Sequence, residues 1–329
     1  MADSQKQLEP LVESKRISKV FPARPGLYGA SEHRFVRAVD RISLSINQGE
    51  TVGLVGESGS GKSTFGRLLI RLESPTGGTV HFNGEDITRL RGTKLRRKRH
   101  LMQMIFQDPS SSLNPRFTVR ETLTEAIRAH HGLNKKDLNA RIAMQLHMVG
   151  LTVSDLDRYP RELSGGERQR IAIARVLAVE PQFIVADEPI SALDLGSQSQ
   201  IVNLLDGLRR ELQVSGLLIS HDLDVIRYLS GRVAVMYLGR IVEMASTKEL
   251  FQMPRHPYTR ALIAATLSTD PDSKHKPLIL TGDPPSPQDP PKGCHFHPRC
   301  SHAETRCKIV EPKSREISKE HFITCHFDL

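Results

Sequence analysis

The sequence predicts an α/β fold: a parallel strand core, antiparallel strands ahead of it and a helical segment inserted in it. Three observations carry that reading. The apolar run Thr51–Val55 leads into a glycine-rich string and then into the helix-like stretch Phe65–Leu72, which is the order strand, loop, helix. A second apolar run, Phe183–Ala186, ends in two adjacent carboxylates, Asp187 and Glu188. Between the two, residues 118–149 have helical periodicity, broken near Gly132.

Taken in order, Leu11 to Phe21 reads as the first strand, followed by a turn-rich segment over 22–31. Val36–Ile46 alternates apolar and polar residues, as a strand pair with one solvated face would, and Asn47–Glu50 turns the chain into the strand before the glycine-rich string. Gly77–Gly84 is a short strand closed by the Asn83-Gly84 turn. The basic run Arg91–His100 reads as a solvated helix face, with contact to acidic lipid or a partner surface as the alternative. Leu101–Phe106 is a strand ending at Gln107. Asn134–Asp137 matches the guanine-reading N-K-x-D of GTPases, yet it opens a helix instead of capping an apolar strand, so Asn134 or Asp137 reads as a helix cap.

With 329 residues, 38% of them hydrophobic and 5% aromatic, the chain can hold one large α/β domain and a smaller appendage. The longest apolar runs, such as Phe183–Ala186 and Gly216–Ile219, are far shorter than the roughly 18 residues of a membrane span. The first residues lack a signal-like apolar core, so a cytoplasmic location is expected unless a partner holds the chain at a membrane. The net charge of +9 suits nucleic acid or an anionic membrane face, but no nucleic-acid-reading motif accompanies it.

The glycine-rich string is Gly56-Glu57-Ser58-Gly59-Ser60-Gly61-Lys62-Ser63-Thr64, a G-x-x-x-x-G-K-[ST] motif. Its backbone N–H groups and the following helix N-terminus form a cradle for phosphates. Lys62 reaches the β- and γ-phosphates, and Ser63 can hold Mg²⁺. A nucleoside triphosphate is the expected ligand. At the end of the second strand, Asp187 is expected to hold Mg²⁺ and Glu188 to polarise an attacking water.

Further motifs follow in a fixed order: Leu163–Arg170 ahead of a helix, Gln182–Glu188, Ser191–Asp194 and Gly216–Asp222. With them the chain resembles the nucleotide-binding subunits of ATP-binding cassette (ABC) transporters over residues 11–255. That resemblance implies a RecA-like core with an antiparallel β subdomain and a helical subdomain near 108–165. It implies ATP and Mg²⁺ as ligands, with Mg²⁺ served by Ser63, Gln107 and Asp187. Gln107 and His221 join Glu188 as catalytic residues, His221 meeting the γ-phosphate. Phe21 is the candidate to stack on adenine, with Tyr28 in reserve. The signature residues Ser164, Gly165 and Gly166 are implied to complete a site on a second ATPase subunit, which in this group is often a non-identical chain, with Asp194 at the seam.

Gly239–Ala245 and Glu249–Leu262, with His256-Pro257-Tyr258, narrow the resemblance to the ATPases of oligopeptide and dipeptide importers, a group that includes nickel and glutathione systems. Two integral membrane permease subunits and a solute-binding protein are the implied partners, with the chain peripheral on the cytoplasmic face of the inner membrane. The tripeptide is expected to mark kinship more than to perform chemistry. A soluble cassette ATPase acting on ribosomes or nucleic acid is the alternative, but such proteins carry two cassettes or a coiled-coil insert, and this sequence has neither.

Residues 256–329 form the expected extension beyond a cassette at 1–255. Its Pro-rich stretch, 282–291, is a stiff linker. Cys294, Cys300, Cys307 and Cys325 follow as C-x₅-C-x₆-C-x₁₇-C, a set that favours a metal over disulfides in a cytosolic protein. The missing C-x₂-C pairs lean toward iron–sulfur, and the resemblance agrees, since some members carry a [4Fe–4S] cluster on such a tail. Zinc stays open because of the neighbouring His295, His297, His302 and His326, and four unligated thiols are the remaining alternative. The cluster is expected to fix the tail without entering the chemistry of hydrolysis.

Overall fold

A computed structural model describes residues 9–22, 35–129, 134–266 and 282–327. In chain order the strands are β1 (Val12–Pro22), β2 (Phe35–Ile46), β3 (Thr51–Val55), β4 (Gly77–Phe82), β5 (Glu85–Asp86), β6 (Met102–Ile105), β7 (Phe183–Asp187), β8 (Ser215–Ile219), β9 (Arg232–Tyr237), β10 (Arg240–Ser246), β11 (Arg315–Ser318) and β12 (His321–Ile323). The α-helices are α1 (Lys62–Leu69), α2 (Gly92–Arg99), α3 (Pro109–Ser112), α4 (Val119–Arg128), α5 (Lys135–Met148), α6 (Gly165–Leu177), α7 (Leu195–Leu212), α8 (Leu223–Leu229), α9 (Thr247–Gln252), α10 (Pro257–Thr266) and α11 (Thr305–Ile309). They fall into two compact units. One takes the described residues within 12–45, 51–88 and 219–329, and the other those within 1–11, 46–50 and 89–218.

In the first unit, β2-β1-β4-β5 form a sheet in that order, with β1 antiparallel to β4 and β4 to β5. The expected strand pair over 36–46 is one strand, β2. It bends at Arg41, whose φ is +55, but carries no turn that could fold it back. The Asn83-Gly84 turn does close β4 onto β5, both residues having positive φ as a tight hairpin requires. A second strand set runs β11-β12-β10-β9-β3. β3 lies parallel to β9 and is buried at Val52, Leu54 and Val55, so it reads as a continuous apolar run without alternation. Helix α1 buries Phe65, Leu68 and Leu69 on one side.

The extension continues this sheet. β12 pairs with β10 through Glu243↔Ile323 and Met244↔Phe322, and β11 closes on β12 as a hairpin. Beneath the pairing lies a buried polar knot. The Glu243 carboxylate, with no exposed surface, accepts the N–H groups of Arg255 (2.7 Å) and His256 (2.9 Å) and meets His321 Nε2 at 2.8 Å. A buried polar group persists only when so satisfied. The same carboxylate therefore fixes the start of α10 and the strand that brings the cysteine segment back.

The second unit has β8-β7-β6 in order, β6 parallel to β7, and packs around α6. α6 buries Ile171, Ala172, Ile173, Ala174, Val176 and Leu177, which is apolar nearly all round and marks an interior helix. α4 starts with a capping box between Thr118 and Glu121, and α5 with Asn134, whose side chain accepts from the Asp137 N–H. The N-K-x-D match is thus a helix cap. α2 buries no residue, as the basic run predicts.

Candidate functional site

β3 delivers the chain to Gly56, where φ is +150 and a Cβ would lie 2.1 Å from the Met236 carbonyl oxygen. Only glycine fits. The loop then enters α1, whose N-cap is Gly61 and whose first turn holds no acidic side chain, so the positive helix end has no anion of its own. Lys62 is 6% exposed, and its Nζ donates to the Gly56 and Glu57 carbonyls at 2.7 and 2.9 Å. Neutral carbonyls are weaker partners for an ammonium than phosphate oxygens. Ser60 Oγ is buried without a hydrogen-bond partner. An orphaned hydroxyl, an uncapped helix and a lysine resting on loop carbonyls all fit a phosphate ligand.

Downstream in the same unit, His221 stands exposed between β8 and α8. Its neighbours are tied: the Asp222 N–H donates to Ser220 Oγ at 3.0 Å, and the Asp222 carboxylate accepts from the Asp224 and Val225 amides. Phe21, on β1, carries the Lys19 ammonium 4.7 Å from its ring centre. Tyr28 lies outside the described residues.

In the other unit, Asp187 closes β7 and is 2% exposed. β6 and β7 are paired with Ile105 opposite Ala186, so two residues further each strand reaches Gln107 and Glu188. The Gln107 amide donates to Glu188 Oε2 at 3.0 Å. Glu188 has φ +46, a left-handed conformation that costs a glutamate of order 1 kcal/mol or more and is typical of functional residues. Ser191 Oγ holds it by donating to its carbonyl at 3.1 Å.

Of Leu163–Arg170, expected ahead of a helix, the part from Gly165 on lies in α6; the signature residues are that helix's N-terminus, Ser164 as N-cap and Gly165 and Gly166 in the first turn. Glu167 N–H donates to Ser164 Oγ at 3.2 Å, and Ser164 N–H donates to Glu167 Oε2 at 2.7 Å. The Ser164 amide, then Arg158 Nη1 at 3.0 Å, holds the Glu167 carboxyl below the usual range. A Cβ on Gly166 would fall 2.9 Å from Ser197 Oγ, which itself donates to Asp194 at 2.8 Å. Asp194 is the N-cap of α7.

A family model described as ABC transporter matches residues 39–191, and one described as Oligopeptide/dipeptide transporter, C-terminal region, matches 242–307. Over 321 residues the chain is 46% identical to the oligopeptide transport ATP-binding protein AppF of Bacillus subtilis (strain 168), covering 97% of each. The chain belongs to the ATP-binding subunits of ABC transporters. It is also 46% identical to a putative peptide import ATP-binding protein of Brucella ovis, over 96% of this chain and 97% of that one. Among solved structures it is similar to the dimeric ATP-binding cassette MJ0796 bound to ADP and Pi, with TM-score 0.63, 29% identity, and 72% and 98% of the two chains covered. It is similar as well to cbiO1 of Clostridium perfringens, with TM-score 0.64, 26% identity, and 74% and 92% covered. The fold is that of an ABC cassette, and the activity is that of an ABC-type ATPase.

Sequence reasoning missed two supports of this ABC subunit's P-loop. Tyr258, expected only to mark kinship, accepts the Glu57 N–H on its hydroxyl at 2.9 Å. Arg299, in the cysteine-bearing extension, donates from Nη1 to both carboxylate oxygens of Glu57 at 3.0 and 2.8 Å. No local pattern announces either contact.

Proposed function

We propose that this subunit binds and hydrolyses ATP to energise the uptake of peptides through a pair of membrane permease subunits supplied by a solute-binding protein. The match of both family models in one chain supports this, since a cassette alone does not distinguish import of peptides from other work. No helix among the described residues is long and apolar enough to cross a membrane; the likeness to peptide-importer ATPases supports a peripheral place on the cytoplasmic face of the inner membrane. Lys62 and the P-loop amides from Gly56 to Thr64 hold the phosphates, and Phe21 packs on the adenine. Glu188 takes the proton of the attacking water, Gln107 orients that carboxylate, and His221 meets the γ-phosphate. Ser164, Gly165 and Gly166 serve ATP bound to a second ATPase subunit. Mg²⁺ would be held by Ser63, Gln107 and the buried Asp187 carboxylate, and it would neutralise charge on the phosphates. Reconstitution with the permease and binding protein in vesicles is the test: external peptide should stimulate ATP hydrolysis and accumulate inside, and stimulation by nickel or glutathione alone would redirect the reading.

The four cysteines offer a sulfur donor set of the sort that soft metal groups take. Their side chains line one tight pocket of about 10 Å³ together with Phe296 and Phe327. Burial pushes the Cys294 thiol up to about 11 and raises Cys300 and Cys325 as well, so a cation is needed to hold them as thiolates. Among the described residues, no three His, Cys, Asp or Glu side chains are gathered as for a single ion. A [4Fe–4S] cluster would be held by the thiolates of Cys294, Cys300, Cys307 and Cys325 and would cross-link the extension.

A further inference from the structure

Glu57 is the one acidic residue between Gly53 and Thr64, and it stands in a loop built to receive a highly charged anion. A bare carboxylate there has two costs. It repels the phosphates, and it competes with them for Lys62, whose ammonium already rests on the Glu57 carbonyl at 2.9 Å. The protein meets both from outside the loop. Arg299, its side chain 7% exposed, covers the carboxylate, and Tyr258, fully buried, takes the amide N–H. Glu57 is thereby pinned at its amide, its carbonyl and its side chain.

The supports are themselves fixed by one aromatic cluster. Phe296 lies edge-on to Tyr237 at 5.2 Å between ring centres and tilted against Tyr258 at 5.5 Å and His256 at 5.6 Å. His256 Nδ1 accepts the Tyr258 N–H at 3.1 Å. Arg299 sits three residues past Phe296 and directly before Cys300, in a segment whose Cys294 N–H is bonded to the Cys307 carbonyl at 2.8 Å. A buried guanidinium in such a setting is positioned by its surroundings and keeps its geometry.

We propose that the C-terminal extension sets the phosphate affinity of the P-loop, with Arg299 and Tyr258 as positioning residues that neutralise and orient Glu57. The proposal rests on the P-loop as the phosphate site and needs no metal on the cysteines. It assigns the extension a part in nucleotide binding. It also makes the order of the segment from Cys294 to Cys300 a control on ATP affinity, because Arg299 cannot hold Glu57 unless that segment is in place.

The test is a mutant cycle on the full-length chain, read by titration with a fluorescent ATP analogue and by thermal unfolding. Arg299→Met should weaken nucleotide binding about tenfold, the worth of one charge-assisted hydrogen bond. The loss should shrink as salt is raised, because it arises from an uncovered carboxylate. Glu57→Gln combined with Arg299→Met should bind within about twofold of Glu57→Gln alone, since arginine then has no charge to cover. Arg299→Lys should recover part of the affinity, and Tyr258→Phe should lose a few-fold. Additive effects in the cycle, or wild-type affinity in Arg299→Met at low salt, would overturn the proposal. If Arg299→Met does not fold, the cycle with Arg299→Gln, which also removes the charge, gives the same decision.

Discussion

Glu188 and Glu57 are held in opposite ways. Glu188 is placed by its own surroundings: β6 and β7 run in register, Gln107 emerges beside it, and Ser191 three residues on ties its carbonyl. Glu57 is placed by Tyr258 and Arg299, which are 201 and 242 residues away in sequence. The residue assigned to the water-activating step thus depends on local sheet geometry, while the loop assigned to phosphates depends on the last third of the chain. On the proposed reading, a change in the extension alters nucleotide affinity without touching the carboxylates assigned to hydrolysis.

The sharpest way to break this comparison is to remove each function at its own end. Glu188→Gln should keep ATP binding but lower turnover in the assembled transporter by about 10²- to 10⁴-fold, the usual worth of a general base. Lys62→Ala should instead weaken binding itself. Nucleotide titration beside phosphate release separates the two, and near wild-type turnover in Glu188→Gln would remove that residue from its role.

An intermediate effect is expected from the cysteines. Protein purified without oxygen should be brown with about four irons per chain, whereas a colourless preparation with one zinc would replace the cluster by a single ion. Replacing Cys294 and Cys300 with serine should release iron. It should also weaken nucleotide binding a few-fold through Arg299, with the single-turnover hydrolysis rate of bound ATP unchanged. The sequence reading put the extension outside the chemistry because the P-loop, Asp187, Glu188 and His221 lie elsewhere in the chain. The buried Glu243 knot and the β10–β12 pairing return the tail to the unit that carries the P-loop, which distance along the chain does not show.

What was legible follows the same division. Strand β3, helix α1, the cap at Asn134 and the Asn83-Gly84 turn could be read because each is set by residues within a few positions of one another. The neighbourhood of Gln107 and Glu188 was half legible: both strand ends were visible, but the register that brings them to 3.0 Å is a pairing property. The left-handed backbone of Glu188 broke the usual residue preference and carried no sequence signal. Arg299 looked like one basic residue among many in a chain of net charge +9.

The smallest expected effect tests whether the signature end is as self-contained as the Glu188 end. Ser164 and Glu167 cap α6 reciprocally, and the Ser164 amide with Arg158 keeps the Glu167 carboxyl below its ordinary value of 4.5. A depressed carboxyl contributes stability that is complete above the unfolded value and is lost as pH falls through the folded one. The contribution should therefore be flat from neutral pH to about 4.5 and fade below it. Glu167→Gln keeps an acceptor for the Ser164 amide but not the charge, and should cost about 1 kcal/mol at neutral pH. Thermal unfolding of both proteins from pH 7 downward should show the gap closing only in the acid range, where the native glutamate becomes neutral as glutamine always is. ATP affinity at the P-loop of the same chain should stay unchanged at neutral pH, because none of the contacts that pin Glu57 involves Ser164, Glu167 or Arg158. A gap that persists unchanged into acid would mean that the charge of Glu167 does not support the cap, and a neutral-pH affinity change would mean that the signature end is coupled to the P-loop within one chain.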